Sequence, residues 1–293
     1  MLPREVIQKV RRIEITTRRM VTDVLAGEYH SIFKGRGMEF SDVREYMMGD
    51  DIRTIDWNVT SRTGTLHVKK FVEERELTVL LMLDASGSAD FGTTSRFKRE
   101  VAAEIGALLA FSAIKNNDRV GAIVFTDEVE MFIPPRKGRP HVLRVIRDLL
   151  YFAPKGKKTN LAAAMDYLNR VTRKRAVVFV LSDFLTSGFE KPFRVAAKKH
   201  DVISIFLSDP REREIPKVGM IELEDAETGH RMLLDTADRR ALAAFTEHAN
   251  ARVQGQMDAL TAMGVDIIDV NTGEPYDRPL QRFFQRRARR LRH

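Results

Sequence analysis

Five small oxygen-bearing side chains stand where a cation could be held. Asp84, Ser86 and Ser88 alternate in Asp84-Ala85-Ser86-Gly87-Ser88, directly after the apolar run 77–83 (LTVLLML). Thr159 lies in GKKTNL, and Asp183 in LSDF at the end of a second apolar run, 176–182 (AVVFVLS). Two carboxylates and three hydroxyls suit a hard divalent ion. Mg²⁺ takes about six oxygens in an octahedral array and keeps waters among them. Hydroxyls are neutral, so an ion with few direct carboxylates stays electron-poor and welcomes a carboxylate from outside. That is the chemistry of a recognition site rather than of a closed structural cage. Helix capping alone also produces Asp-x-Ser-x-Ser. The pattern gains its weight from Thr159 and Asp183, which follow elements of their own.

The elements that must position these groups are legible from residue 76 onward. Continuous apolar runs at 77–83 and 176–182 read as strands buried on both faces. Further strands are expected at 119–125, 129–133, 202–207 and 265–270. Helices are expected over about 95–116, 139–151, 160–173, 188–199 and 237–263, with a terminal helix from about 276. Residues 219–224 and 230–234 read as a hairpin turning on Glu227-Thr228-Gly229. This alternation predicts an α/β fold: a doubly wound, mostly parallel sheet flanked by helices, with ligands at the carboxyl ends of its strands. Upstream, residues 3–28 read as an amphipathic helix stopped at Gly27. The Gly-, Asp- and Arg-rich stretch 29–66 predicts loops, a short helix near 41–47 and a strand near 54–59; another strand is expected near 65–73. The organisation expected is an accessory lobe at 1–75, the α/β domain at 76–270 and a basic C-terminal helix or tail at 271–293.

The spacing of Asp84, Ser86 and Ser88, with distant Thr159 and Asp183, resembles the metal-ion-dependent adhesion site of von Willebrand factor A-type domains, over about residues 76–270. The resemblance implies Mg²⁺ or Mn²⁺ ligated by Ser86, Ser88 and Thr159. Asp84 and Asp183 would act directly or through water, and an acidic side chain of a partner would complete the shell. This chain departs from the family pattern at Ala89, where methionine is frequent, at Lys157 and Lys158, where glycines are frequent, and at Phe184, another frequent glycine.

A second resemblance lies upstream. The string from Gly35 to Glu76 is similar to the signature of the family called domain of unknown function 58, through Gly37, Glu39, Phe40, Arg44, Tyr46, Gly49, Asp50, Arg53, Asp56, Trp57, Arg62, Gly64 and Glu73. That resemblance implies a MoxR-type AAA+ ATPase as a partner. Within the segment, Arg44, Arg53, Arg62, Asp50, Asp51 and Asp56 are expected to form a network around Trp57 and Tyr46 that orders a loop-rich lobe. A docking surface anchored by Trp57 is the alternative.

Composition narrows the function further. The chain has 293 residues and a net charge of +8. Residues 1–19 hold six basic and two acidic residues, and 282–293 hold six arginines and no acid, so the body between is close to neutral. A nucleic-acid or anionic-surface binder acting through the arginine-rich tail is therefore an alternative reading rather than the leading one, and no nucleic-acid partner is expected of the body. Cysteine is absent, which excludes disulfides and thiolate metal sites and suits a reducing cytoplasm. No apolar run reaches the ~20 residues of a membrane span, and the first residues lack the apolar core of a leader. A phosphate-binding loop at Gly156-Lys157-Lys158 fails because position 151 is Tyr and position 158 is Lys. A hydrolase elbow at Ser86 fails because position 84 is Asp. An aspartyl-phosphate site fails because Ser86 stands where its second acid belongs. Histidines 30, 67, 141, 200, 230, 248 and 293 show no metal-ligand spacing. With no nucleophile matched to a base, the expectation is a protein-binding protein and not an enzyme, with partners that offer an acidic side chain.

Overall fold

The computed structural model describes residues 38–73, 76–93 and 96–292. The helix expected over 3–28 lies outside them. The chain divides into two compact units, one spanning Phe33–Glu76 and the other containing Leu77–His293.

In the smaller unit, β1 (Met38–Glu45) pairs antiparallel with β2 (His67–Glu73), with a bulge between Phe40 and Asp42. A 3-10 turn (Ile52–Thr54) and α1 (Trp57–Thr63) lie between them. Two sequence expectations are overturned here. Residues near 41–47 form a strand rather than a helix, because pairing with β2 outweighs a weak local periodicity. Residues near 54–59 form the turn and the start of α1 rather than a strand. The signals for α1 are local: Asp56 Oδ1 accepts from Asn58 N at 3.0 Å and Val59 N at 3.2 Å, and Gly64 ends the helix at φ +76°. Nor do the charged residues gather around Trp57, which is 66% exposed. Asp51 and Asp56 cap their own helices, and Arg44 forks onto Asp50 at 2.8 and 2.7 Å. Among the described residues of the lobe, Ile55 and Val68 are buried and are joined by a backbone bridge.

In the larger unit the alternation of strand and helix expected from the sequence is realised. A six-stranded sheet is built from β3 (Thr78–Asp84), β4 (Arg119–Phe125), β5 (Val129–Arg136), β6 (Val177–Ser182), β7 (Asp201–Ser208) and β10 (Asp266–Asn271). Its order is β10-β7-β6-β3-β4-β5, parallel except for β5. On one face, Leu80, Met82, Val178 and Val180 pack under α4 (Leu161–Val171) and α5 (Glu190–Lys199). The other face carries α2 (Lys98–Lys115) and α3 (Arg139–Leu150), which pack on each other. A short α6 (Pro210–Arg213) follows β7. The hairpin β8 (Met220–Glu224) and β9 (Arg231–Asp235) forms a separate ladder, and α7 (Arg239–Ala262) leads into β10. The terminal helix α8 (Asp277–Arg292) is docked by Phe283 and Phe284, both buried, and by Arg287, which reaches Asp201 and Asp266. No helix among the described residues is long and apolar enough to cross a membrane.

The order places the switch of winding direction at β3. The chain leaves β3 toward β4 and β5, then crosses to β6 on the opposite side. Such a reversal opens a crevice at the carboxyl ends of the two adjacent strands. β3 and β6 are parallel neighbours with Leu83 opposite Leu181, so Asp84 and Asp183 emerge side by side.

Candidate metal centre

Asp84 closes β3 and is 4% exposed. Its Oδ1 accepts from Ser86 N at 3.0 Å and its Oδ2 from Ser182 Oγ at 2.6 Å. Ser182 in turn accepts from Phe184 N at 3.0 Å, so the β6 end orients the β3 carboxylate. Ser86 stands at the start of the 3-10 turn Gly87–Asp90 without a side-chain cap bond, the turn carries Ser88, and the two hydroxyl oxygens lie 3.1 Å apart. Asp183, also buried, accepts from Leu185 N through Oδ1 at 3.2 Å and from Lys98 Nζ through Oδ2 at 2.8 Å.

Thr159 arrives on the loop before α4. That loop is pinned to the β4 end: Glu130 accepts from Lys155 N at 2.9 Å, Gly156 N at 3.0 Å and Thr126 Oγ1 at 2.7 Å. Gly156 is required there, since a Cβ would stand 1.9 Å from Asp127 Oδ1. The loop touches the serine turn through Gly87 N, which donates to the Lys157 carbonyl at 2.7 Å. Lys157 therefore contributes its backbone, and the side chains of Lys157 and Lys158 are exposed. Thr159 Oγ1 donates to Glu227 Oε1 at 2.6 Å.

Phe184 explains one departure from the family pattern. Its φ is +53°, a left-handed conformation in which glycine carries no side-chain penalty. The strain costs about 1–2 kcal/mol. It is offset by full burial of the ring, stacked on Phe206 at 5.8 Å and packed against Phe189 and Phe193 at 6.3 Å.

The electrostatics are set by Lys98, which is 1% exposed. Its ammonium bonds Asp183 at 2.8 Å and Glu212 Oε1 at 2.6 Å. Burial alone would lower its pKa, but these two carboxylates hold it above the ordinary lysine value. Burial alone would likewise raise Asp183, and Lys98 holds it below the ordinary carboxylate range. Among the described residues no such cation stands beside Asp84. Burial, and then the negative charge of Asp183, push it up to about 6. Glu212 is fixed by the α6 capping box, in which its Oε2 accepts from Asp209 N at 2.8 Å.

This donor set fits Mg²⁺ or Mn²⁺. At metal–oxygen distances of about 2.1 Å, neighbouring oxygens of an octahedron lie about 3.0 Å apart; the serine pair stands at 3.1 Å. Beside it are two buried carboxylates, one of them without a counter-cation among the described residues, and a pocket of about 10 Å³ lined by Asp84, Ser88, Lys98, Ser182 and Asp183, room for about one water. Among the described residues no three His, Cys, Asp or Glu side chains group as a metal cluster, so the hydroxyls are what distinguish this centre.

The structure thus joins Asp84, Ser86, Ser88 and Asp183 in one hydrogen-bonded group and sets the Thr159 loop against it. Sequence reasoning missed Lys98, Ser182, Glu212 and Glu227. Lys98 carried a signal: it falls three residues before Val101 and seven before Ile105, on the apolar stripe of α2, where a lysine needs a buried acid. Asp209-x-x-Glu212 also carried one, as a capping box. Glu227 carried none.

A family described as protein of unknown function DUF58 matches this chain over residues 42–255. The uncharacterized protein Rv1480 of Mycobacterium tuberculosis is 33% identical over 289 residues, spanning 96% of this chain and 89% of that protein. Among solved structures, the conserved hypothetical protein BatB from Bacteroides thetaiotaomicron aligns over 73% of this chain and 99% of its own, with a TM-score of 0.46 and 14% identity. The SpRpn10 VWA domain aligns over 70% of this chain and 93% of its own, with a TM-score of 0.37 and 13% identity. By the extent of the family match and of the mycobacterial relative, the chain belongs to the DUF58 family of proteins of unknown function.

Proposed function

We propose that the protein is a metal-dependent protein-binding module. Ser86, Ser88 and Thr159 would hold Mg²⁺ or Mn²⁺, with Asp84 and Asp183 acting directly or through water, and a partner's acidic side chain would supply the last ligand. The observation that carries this reading is the pair of serine hydroxyls 3.1 Å apart beside two buried carboxylates at the sheet's switch point. When bound, the ion supplies a positive point that attracts a carboxylate. The chain's own residues do the rest: Ser182 and the Ser86 amide orient Asp84, and Lys98 keeps Asp183 ionised.

The DUF58 resemblance supports a MoxR-type AAA+ ATPase as one partner, with client proteins bound through an acid, in cytoplasmic remodelling or maturation of proteins. Capture of such an ATPase by the full chain is expected to be lost in EDTA, restored by Mg²⁺ and absent with Asp84→Ala. Capture unchanged by both EDTA and the substitution contradicts metal-mediated binding at that contact. A second reading rests on Arg282, Arg286, Arg289 and Arg290, which line the exposed side of α8. Steep salt dependence of capture, abolished by neutralising Arg282, Arg286 and Arg289, would favour it.

A further inference from the structure

The β8–β9 hairpin pairs with itself and not with the main sheet, yet its tip lies on the candidate centre. Glu227 Oε1 accepts from Thr159 Oγ1 at 2.6 Å, and its Oε2 from Thr159 N at 3.3 Å. The neighbouring residue makes a second, independent contact. A Cβ on Gly87, between the two serines, would stand 2.4 Å from the Ala226 carbonyl oxygen, so tip and serine turn are in backbone contact. The tip is also pre-formed. Asp225 Oδ1 accepts from Glu227 N at 2.9 Å and Thr228 N at 2.8 Å, and Gly229 N donates to the Asp225 carbonyl at 2.7 Å.

A rigid turn therefore presents a half-buried carboxylate to one of the three hydroxyls named above. A neutral amide would strap the tip to Thr159 through the same hydrogen bond. A carboxylate there makes sense when a cation is present.

We propose that Glu227 is the chain's own ligand at this centre, held in the place that a partner's acid would take. Partner binding then requires the hairpin tip to give way, so the intramolecular acid sets a threshold that weak carboxylates do not pass. Any affinity for an outside acid is reduced by the fraction of time Glu227 is in place. This inference rests on the metal reading given above.

Mn²⁺ binding to the full chain, followed by water-proton relaxation, separates the two. With Glu227→Gln, Mn²⁺ is expected to bind about tenfold or more weakly, and the bound ion to gain one exchangeable water. Acetate, standing for a partner's carboxylate, should bind the Glu227→Gln centre and remove that water at about tenfold lower concentration than it needs to displace Glu227 from the wild-type centre. Glu222→Gln, on the same hairpin and paired with Arg231 instead, should behave as wild type and controls for folding of the hairpin. If wild type and Glu227→Gln share one Mn²⁺ affinity and one water count, Glu227 is a strap and the proposal fails while the metal reading stands. If the wild type binds no Mn²⁺, both fail.

Discussion

Replacing Lys98 with methionine is expected to lower stability by about 3–5 kcal/mol, a large part of what a domain of this kind has to lose. Methionine fills much the same volume, so the loss is electrostatic rather than a cavity effect. The ammonium is 2% exposed at its side chain and bonds Asp183 and Glu212, which are 5% and 20% exposed. Asp183 has almost no access to water, and Glu212 only partial access. Asp183 is held by Leu185 N, and Glu212 by Asp209 N. Removing the cation leaves one buried and one partly buried charge uncompensated, and Asp183 regains the upward push of burial. Denaturant unfolding of the variant measures the loss. Adding Glu212→Gln to the variant should recover part of it, because one orphaned charge disappears. A loss below about 1 kcal/mol would mean that the ammonium is not buried between these acids.

Asp84→Asn is expected to change stability in opposite directions with and without metal. Asp84 titrates near 6 in the folded protein because of burial and the charge of Asp183, against 3.8 as the reference value. At pH 7 its ionised form therefore costs the metal-free fold roughly 3 kcal/mol, at 1.36 kcal/mol per unit. Asparagine removes the charge but mismatches one of two accepted hydrogen bonds, which returns about 1 kcal/mol. The variant should be about 1–2 kcal/mol more stable than wild type in EDTA. In Mg²⁺ the order should reverse, since binding stabilises a fold that can hold the ion. The pH dependence has a defined sign. As pH falls from 6 toward 3.8, folded Asp84 takes up a proton before the unfolded chain does, and its contribution to stability rises. His200 opposes this. Burial, with Lys199 and Arg175, pushes it down to about 4, so it loses stability as pH falls from 6.5. The Asp84→Asn variant should keep the His200 slope and lack the Asp84 slope. Thermal unfolding from pH 7 to 4, with and without Mg²⁺, reads both, and equal Mg²⁺ stabilisation of the two proteins would contradict a role for Asp84.

The sheet and the position of the centre were legible because their signals are local and strong. Continuous apolar runs such as LTVLLML specify buried strands, and polar residues immediately after such runs must lie at strand ends. Asp84 and Asp183 follow from that reasoning with little help from tertiary detail. Residues 38–64 were harder. Met38–Glu45 is a strand because β2 pairs with it, and that partner lies more than 20 residues on. The caps of α1, Asp56 and Gly64, were local signals that the aromatic and β-branched content obscured. Phe184 shows the limit from another side: its left-handed backbone became visible only with the aromatic cluster that tolerates it. Glu227 is the clearest case of information absent from any short window. Nothing in Glu227-Thr228-Gly229 says that its turn will meet Thr159, 68 residues earlier.

The proposed metal centre rests on paired hydroxyls at the β3–β6 switch point that would hold a divalent cation. Titration of the full chain with Mn²⁺ at neutral pH, compared with the Ser86→Ala/Ser88→Ala chain, tests it most directly. One ion per wild-type chain is expected, displaced by excess Mg²⁺, with affinity at least about 100-fold weaker in the double variant, whose fold is retained. Absence of stoichiometric binding in the wild type, or the same affinity without the two hydroxyls, would contradict it.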